Sequence, residues 1–390
     1  LTGDAGCGRT GWEPHWIDAA EPAGQFYGGI EYMLMWGKEG PVGTNLITSG
    51  SFADAHPGAL GQPGTTVLFG TGSELDYGAT SGVRFTVGYW LDRMGTFGIE
   101  GTGLIMERRT TGASYTEDIG GSNVLGNPFY NTFLNRQDFD AIAYPGLYPG
   151  TTAVSSSSQL TGGEVNLTFN LYRDQCWSLD GYGGFRYLSL AESLSISSTT
   201  SATLFAPAAY LNTPVFPPDS VSVLDRFETY NHFYGANFGG RFDYYYGKLY
   251  TEIGGQIAFG DTREVLNIAG FSSVNSGPIN GVASSVGGLY AGNTNGGHFI
   301  QDTFTVVPEL DLKVGYQINC HVKVNAGYTF LYMSDVIRPG QQIDPNINPF
   351  KVPTFVEFGA ATGGTNSPAP QFSTSDYWIQ GVTFGLELSW

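Results

Sequence analysis

Charge is what this 390-residue chain has least of: Asp, Glu, Lys and Arg make up only 13% of it, roughly half the share usual in soluble domains. Basic residues are scarcer still, 17 Lys and Arg against 35 Asp and Glu, for a net charge of −18. That balance excludes a nucleic-acid partner, whose binding footprint is basic. Three cysteines are too few for a disulfide scaffold. No apolar run reaches the ~18 residues of a transmembrane helix. Catalytic signatures are missing as well: there is no Walker A loop, no H-E-x-x-H, no G-x-S-x-G and no zinc-spaced Cys/His pair. The five histidines (His15, His56, His232, His298, His321) are dispersed. Asp344-Pro345-Asn346-Ile347-Asn348 lacks the Gly and the bidentate Glu of a calcium loop. The expectation is no enzyme, no cofactor and no protein-held metal. The opening Leu1-Thr2-Gly3-Asp4 has no basic and apolar leader, which fits an exported chain whose signal peptide has been removed.

What the chain does have is glycine, 57 residues, and aromatics at 14%, a composition opposite to that of disorder. It also has a persistent period of two. Alternation runs through Phe26–Trp36, Ser81–Leu91, Phe97–Arg108, Gly163–Arg173, Ser178–Glu192, Arg226–Phe242, Lys248–Gly260, Asp302–Tyr316, His321–Met333 and Tyr377–Trp390. The cleanest places Val165, Leu167, Phe169 and Leu171 opposite Glu164, Asn166, Thr168 and Asn170, the pattern of a strand with two different faces. Parity breaks near Phe233–Gly235, and Pro308 interrupts another run, so both spots read as β-bulges.

The connections alternate strictly between short turns and the long segments 37–80, 109–162, 193–225, 261–301 and 334–376. An outer-membrane barrel has this arrangement, with short periplasmic turns, long extracellular loops and an even strand number. Aromatics gathered at the strand ends, among them Tyr89, Trp90, Tyr244, Tyr246, Tyr316 and Trp390, mark the membrane–water interfaces. The fold expected is an all-β, closed antiparallel transmembrane barrel of ten strands, twelve if a loop hairpin joins the wall. Residues 1–25 form a periplasmic segment and 26–390 the outer-membrane barrel, in contact with lipid.

Alternation also assigns a lumen. Its expected lining is Glu31, Glu100, Glu164, Asp180, Glu252, Glu309, Asp311 and Glu387 with Arg84, Arg186, Arg241, Lys313 and Lys323. Such charges would set ion selectivity in a channel or pair into a plug in a narrow barrel. Ten strands lie nearer the filled eight-stranded barrels than the open porins of 16–18. The long loops hold 16 acidic and 6 basic residues, a mouth that could gather divalent cations. Phe129, Tyr130, Phe133, Phe139, Tyr144, Tyr148, Phe205, Tyr210 and Phe216 within them need burial. That calls for an ordered cap or an inward-folded constriction, through which copies of the chain or other cell-surface components could associate. Cys176 and Cys320 fall in short turns and Cys7 in the N-terminal segment, all on the oxidising periplasmic side. A bridge from Cys7 to Cys176 or Cys320, a Cys176–Cys320 bridge, and three free thiols all remain open.

Several segments carry a family resemblance: YMLMWGKEGP (Tyr32–Pro41), PGTTVLFG (Pro63–Gly70), SGVRFTVGYWLD (Ser81–Asp92), GFRYLSLAE (Gly184–Glu192), NHFYG (Asn231–Gly235), VPEL (Val307–Leu310) and GYTFLYMSDVIRPGQQID (Gly327–Asp344). Together they resemble the planctomycete outer-membrane barrels called putative β-barrel porin type 7, over about residues 25–390. His232 stands where that family more often has Gln. The resemblance implies an outer-membrane barrel and a channel, and supplies no catalytic residues. The expected function is a porin-like channel for small polar solutes, narrow or gated by its loops. The alternative is a structural or interaction protein whose barrel anchors a surface cap.

Overall fold

The period-two runs form strands, and they close into a ring. In the computed structural model, which describes residues 25–174, 176–204, 206–276, 281–359 and 364–390, the wall consists of β1 (Phe26–Gly37), β2 (Ala79–Trp90), β3 (Phe97–Met106), β4 (Gly150–Arg173), β5 (Trp177–Ser201), β6 (Ser220–Tyr246), β7 (Leu249–Ser276), β8 (Gly297–Gln317), β9 (Val322–Ile337) and β10 (Thr374–Ser389). Each pairs antiparallel with its neighbours in the chain, and β10 pairs with β1 from Tyr27↔Ser389 to Gly37↔Ile379. Closure leaves no open edge in the hydrocarbon, where an unpaired N–H or C=O would cost several kcal/mol. No loop hairpin joins the membrane part of the wall, so the ring has ten strands. Cys7, Trp12, Trp16 and Ile17 of the expected periplasmic segment lie outside the described residues. Among the described residues, Cys176 and Cys320 form no disulfide with each other.

In the half of the barrel toward the short turns, the outward face is apolar. On β4, Leu167 is 60% exposed whereas its neighbour Thr168 is fully buried. Aromatic side chains ring the short-turn end, including Tyr89, Phe97, Tyr244, Tyr316 and Trp390, and Trp390 packs on Phe26 with ring centroids 4.8 Å apart.

Toward the long loops the pattern inverts. Strands β4 to β8 run well past the lengths expected from their alternation, to Gly150, Ser201, Ser220, Ser276 and Gly297. The loops they bound are correspondingly shorter than 109–162, 193–225 and 261–301. On this extension of β5 the outward residues are Ser193, Ser195, Ser197 and Thr199, while Leu194 and Ile196 point inward and are buried. Outside lipid the outer face meets water and the inner face meets protein, so the two sides exchange polarity without a change of register. The serine-rich stretches Ser155–Ser158 and Ser193–Ser201 are thus the paired arms of one long hairpin.

The same inversion explains the parity break on β6. No bulge exists at Phe233–Gly235, where pairing to β5 and β7 is continuous. Phe238 and Phe242 face outward and Phe227 and Phe233 inward, so the environment changes while the backbone does not. Pro308 makes no bulge either. The β7–β8 register runs straight through it, and the β8–β9 ladder ends beside it at Glu309↔Leu331. The register shifts in the wall fall between Asn170 and Tyr172 and between Met333 and Val336.

The extended strands, joined by the strand Arg109–Glu117 on the upper β4, form a collar around a folded cap. A small sheet of Ile47–Gly50, Thr66–Phe69, Val124–Asn131, Arg136–Ala143 and the short parallel strand Asn346–Ile347 lies within it. Its core contains Leu46, Ile47, Leu125, Phe129 and Ile347 from loops, packed with Leu194, Phe227 and Leu266 from the collar.

Candidate functional site: the barrel lumen

Strand alternation in the membrane half drives one polar set inward. All thirteen residues expected to line the lumen border a single cavity of about 260 Å³. Tyr182 and Tyr250, whose alternation also turns them inward, line it too, whereas sequence reasoning missed Asp243, Arg173, Tyr27, Trp90 and Tyr245. Asp243 sits two residues beyond Arg241 on the same face, so extending the β6 alternation past Phe242 would have found it.

Most of the cations are spoken for. Arg84 bridges Glu309 at 3.0 Å, Asp311 at 2.8 Å and Glu31 at 3.5 Å. Arg186 pairs with Glu309 and lies 3.7 Å from Glu164. Lys313 joins Glu31 at 2.6 Å to Glu252 at 3.2 Å. Nearer the short turns, Arg241 reaches Glu100 at 3.5 Å and Asp180 at 3.9 Å. Neutral groups complete the web: Tyr27 donates to Glu100 at 2.8 Å, and Gln256 to Glu309 at 3.1 Å. Lys323 differs from these four. It donates to the Tyr245 hydroxyl at 3.2 Å and, among the described residues, has no carboxylate at ion-pair distance. Buried charges are tolerable only when paired and hydrogen-bonded, and the web meets that demand for most of these groups across strands far apart in sequence.

Beyond this web, toward the long loops, the interior turns apolar. Fourteen inward side chains from nine of the ten strands form one contiguous layer, none more than 4% exposed: Met33, Met35, Met106, Leu160, Leu188, Leu190, Phe233, Ala258, Val307, Leu331, Met333, Val336, Tyr377 and Ile379. Strand β2 contributes Gly82 instead, because a Cβ there would fall 2.2 Å from the Met106 sulfur that fills the space. The layer is at least two inward positions deep on β1 and β9, about 7 Å along the strand. It divides the charged cavity from the cap.

Above this septum sits Arg338, fully buried. Its guanidinium forks onto Glu192, with one contact at 2.9 Å, and lies 5.3 Å over the Tyr377 ring. The following Pro339 starts a short 3-10 turn. Gly340 then passes so near that a Cβ would stand 2.2 Å from the Pro41 carbonyl oxygen. The Arg-Pro-Gly run and the Tyr32–Pro41 segment therefore meet, locking the start of the 338–373 loop into the barrel mouth.

The family model described as putative beta barrel porin-7 (BBP7) matches residues 27–390. Among solved structures, the outer membrane protease OmpT from Escherichia coli aligns at 10% identity and TM-score 0.38, covering 94% of this chain and 96% of that one. The CymD monoaromatic hydrocarbon channel aligns at 10% identity and TM-score 0.20, covering 97% and 91%. No curated protein matches. With a ten-stranded closed wall and a family model spanning nearly its whole length, the chain belongs to the family of putative beta barrel porin-7, outer-membrane β-barrel proteins.

Proposed function

We propose that this outer-membrane barrel anchors its folded cap at the cell surface, with the short turns in the periplasm and the lumen closed to polar solutes. The observation that carries this is the septum: fourteen apolar side chains, none more than 4% exposed, fill the interior between the charged cavity and the cap. An ion crossing it would have to leave water without a partner, at a cost of several kcal/mol. The cap core is continuous with the inner face of the collar, so cap and barrel behave as one folded body.

A second reading has its own support. A purely structural barrel has no need for so many buried charges, and the cavity below the septum is a ready half-channel. A narrow channel for small polar solutes, gated by displacement of the septum and the 338–373 loop, would use it. Planar-bilayer recording of the full chain decides between them, with insertion verified by heat-modifiable gel migration. The anchoring reading expects no steady conductance in molar potassium chloride. Steady single-channel steps from the unmodified protein would overturn it in favour of the gated channel.

A further inference from the structure

Nine carboxylates but six cationic side chains line the cavity among the described residues. The imbalance is concentrated near the short turns. Among the described residues, Asp243 accepts only from the Ser178 hydroxyl at 3.3 Å, and Glu387 only from Asn325 at 2.8 Å and the Tyr250 hydroxyl at 3.4 Å. Neither has a cation at ion-pair distance among the described residues. Deeper in, buried Glu31 lines the same cavity; Lys313 holds its Oε1 at 2.6 Å, and its Oε2 accepts no hydrogen bond, with the Arg84 guanidinium 3.5 Å away.

Beside these carboxylates stands a pair of tyrosines. Tyr245 and Tyr250 are opposite each other on β6 and β7, their rings stacked with centroids 5.8 Å apart. The Lys323 ammonium lies 5.2 Å from one ring and 5.1 Å from the other. The protein's own ammonium thus occupies an aromatic site backed by surplus negative charge. Aromatic faces with nearby carboxylates are how proteins recognise amines.

We propose that the lumen cavity is a binding site for small organic amines, entered from the short-turn end, and that Lys323 partly occupies it as a tethered competitor. An amine of two ammonium groups would neutralise Asp243 and Glu387 and share the tyrosine pair. A volume of about 260 Å³ admits such a molecule and excludes a large solute. The site lies wholly on one side of the septum, so it is independent of whether the barrel conducts.

The test is calorimetric titration of the detergent-solubilised full chain with 1,4-diaminobutane, with succinate and magnesium chloride as comparators. Saturable diamine binding, tighter than either comparator, is expected. Asp243→Asn should weaken it about fivefold. Lys323→Met should tighten it about fivefold, the weight of one cation–π contact, a gain that misfolding cannot imitate. Magnesium binding as tightly as the diamine would reduce the site to plain charge attraction and overturn the assignment. So would preference for succinate, absence of binding, or a Lys323→Met variant with weaker affinity.

Discussion

Arg338 offers the sharpest test of how cap and barrel are joined. It is fully buried, Glu192 is 3% exposed, and the two are held in a forked ion pair under the cap. Replacing Arg338 with Met leaves the Glu192 carboxylate buried and unpaired, a change that costs about 3–5 kcal/mol in comparable settings. Glu192→Gln is gentler, because the amide oxygen still accepts from the guanidinium; about 1–3 kcal/mol is expected. Removing both charges, as Arg338→Met with Glu192→Met, eliminates the stranded carboxylate and should recover most of the loss. A double-mutant cycle would therefore return a coupling of at least ~2 kcal/mol. The assay is denaturant unfolding of the folded protein in detergent, followed by gel migration, with limited proteolysis of the 338–373 loop as a local readout. Additive single effects, or a cost below ~1 kcal/mol for Arg338→Met, would refute the idea that this pair latches the cap.

Leu167→Arg places a charge on the outward face of β4, where Leu167 is 60% exposed, and should destabilise the folded barrel in lipid by about 2–4 kcal/mol; a neutral result would mean that the face does not meet hydrocarbon. Asp140, half-buried in the cap, has its carboxyl held up to about 7, first by burial and then by the charge of Asp225. A raised carboxyl favours the protonated fold, so cap stability should be full below pH ~4 and fall as the pH rises toward ~7, by at most about 1.4 kcal/mol per unit. Asp140→Asn should flatten that profile and stabilise the cap at pH 8, which protease sensitivity at pH 5.5 and 8 can check; an unchanged pH profile would show that Asp140 does not carry the effect.

The ring of ten strands was legible in the sequence, because lipid imposes a rule on every second residue. Val165, Leu167, Phe169 and Leu171 must be apolar if they face hydrocarbon, and the intervening residues then have to hold whatever is polar. That one rule located the wall, the short-turn end and the thirteen charged positions that line the cavity. It says nothing of which charge meets which, because Arg84 and Glu309 come together from 225 residues apart, and only the closed ring brings β2 across to β8. Nor could periodicity reveal the septum. Alternation reports that one face is apolar, but not whether that face meets lipid or protein, and on β6 the two environments exchange at Phe233. What resembled a backbone bulge there is the point where the two faces exchange polarity along an unbroken strand. The cap's place inside the collar, and the burial of Arg338 against Glu192 beneath it, depend on contacts between loops and strands scattered along the chain. Those contacts carry no period to read, so only the tertiary structure could reveal the apolar layer that divides the charged cavity from the cap.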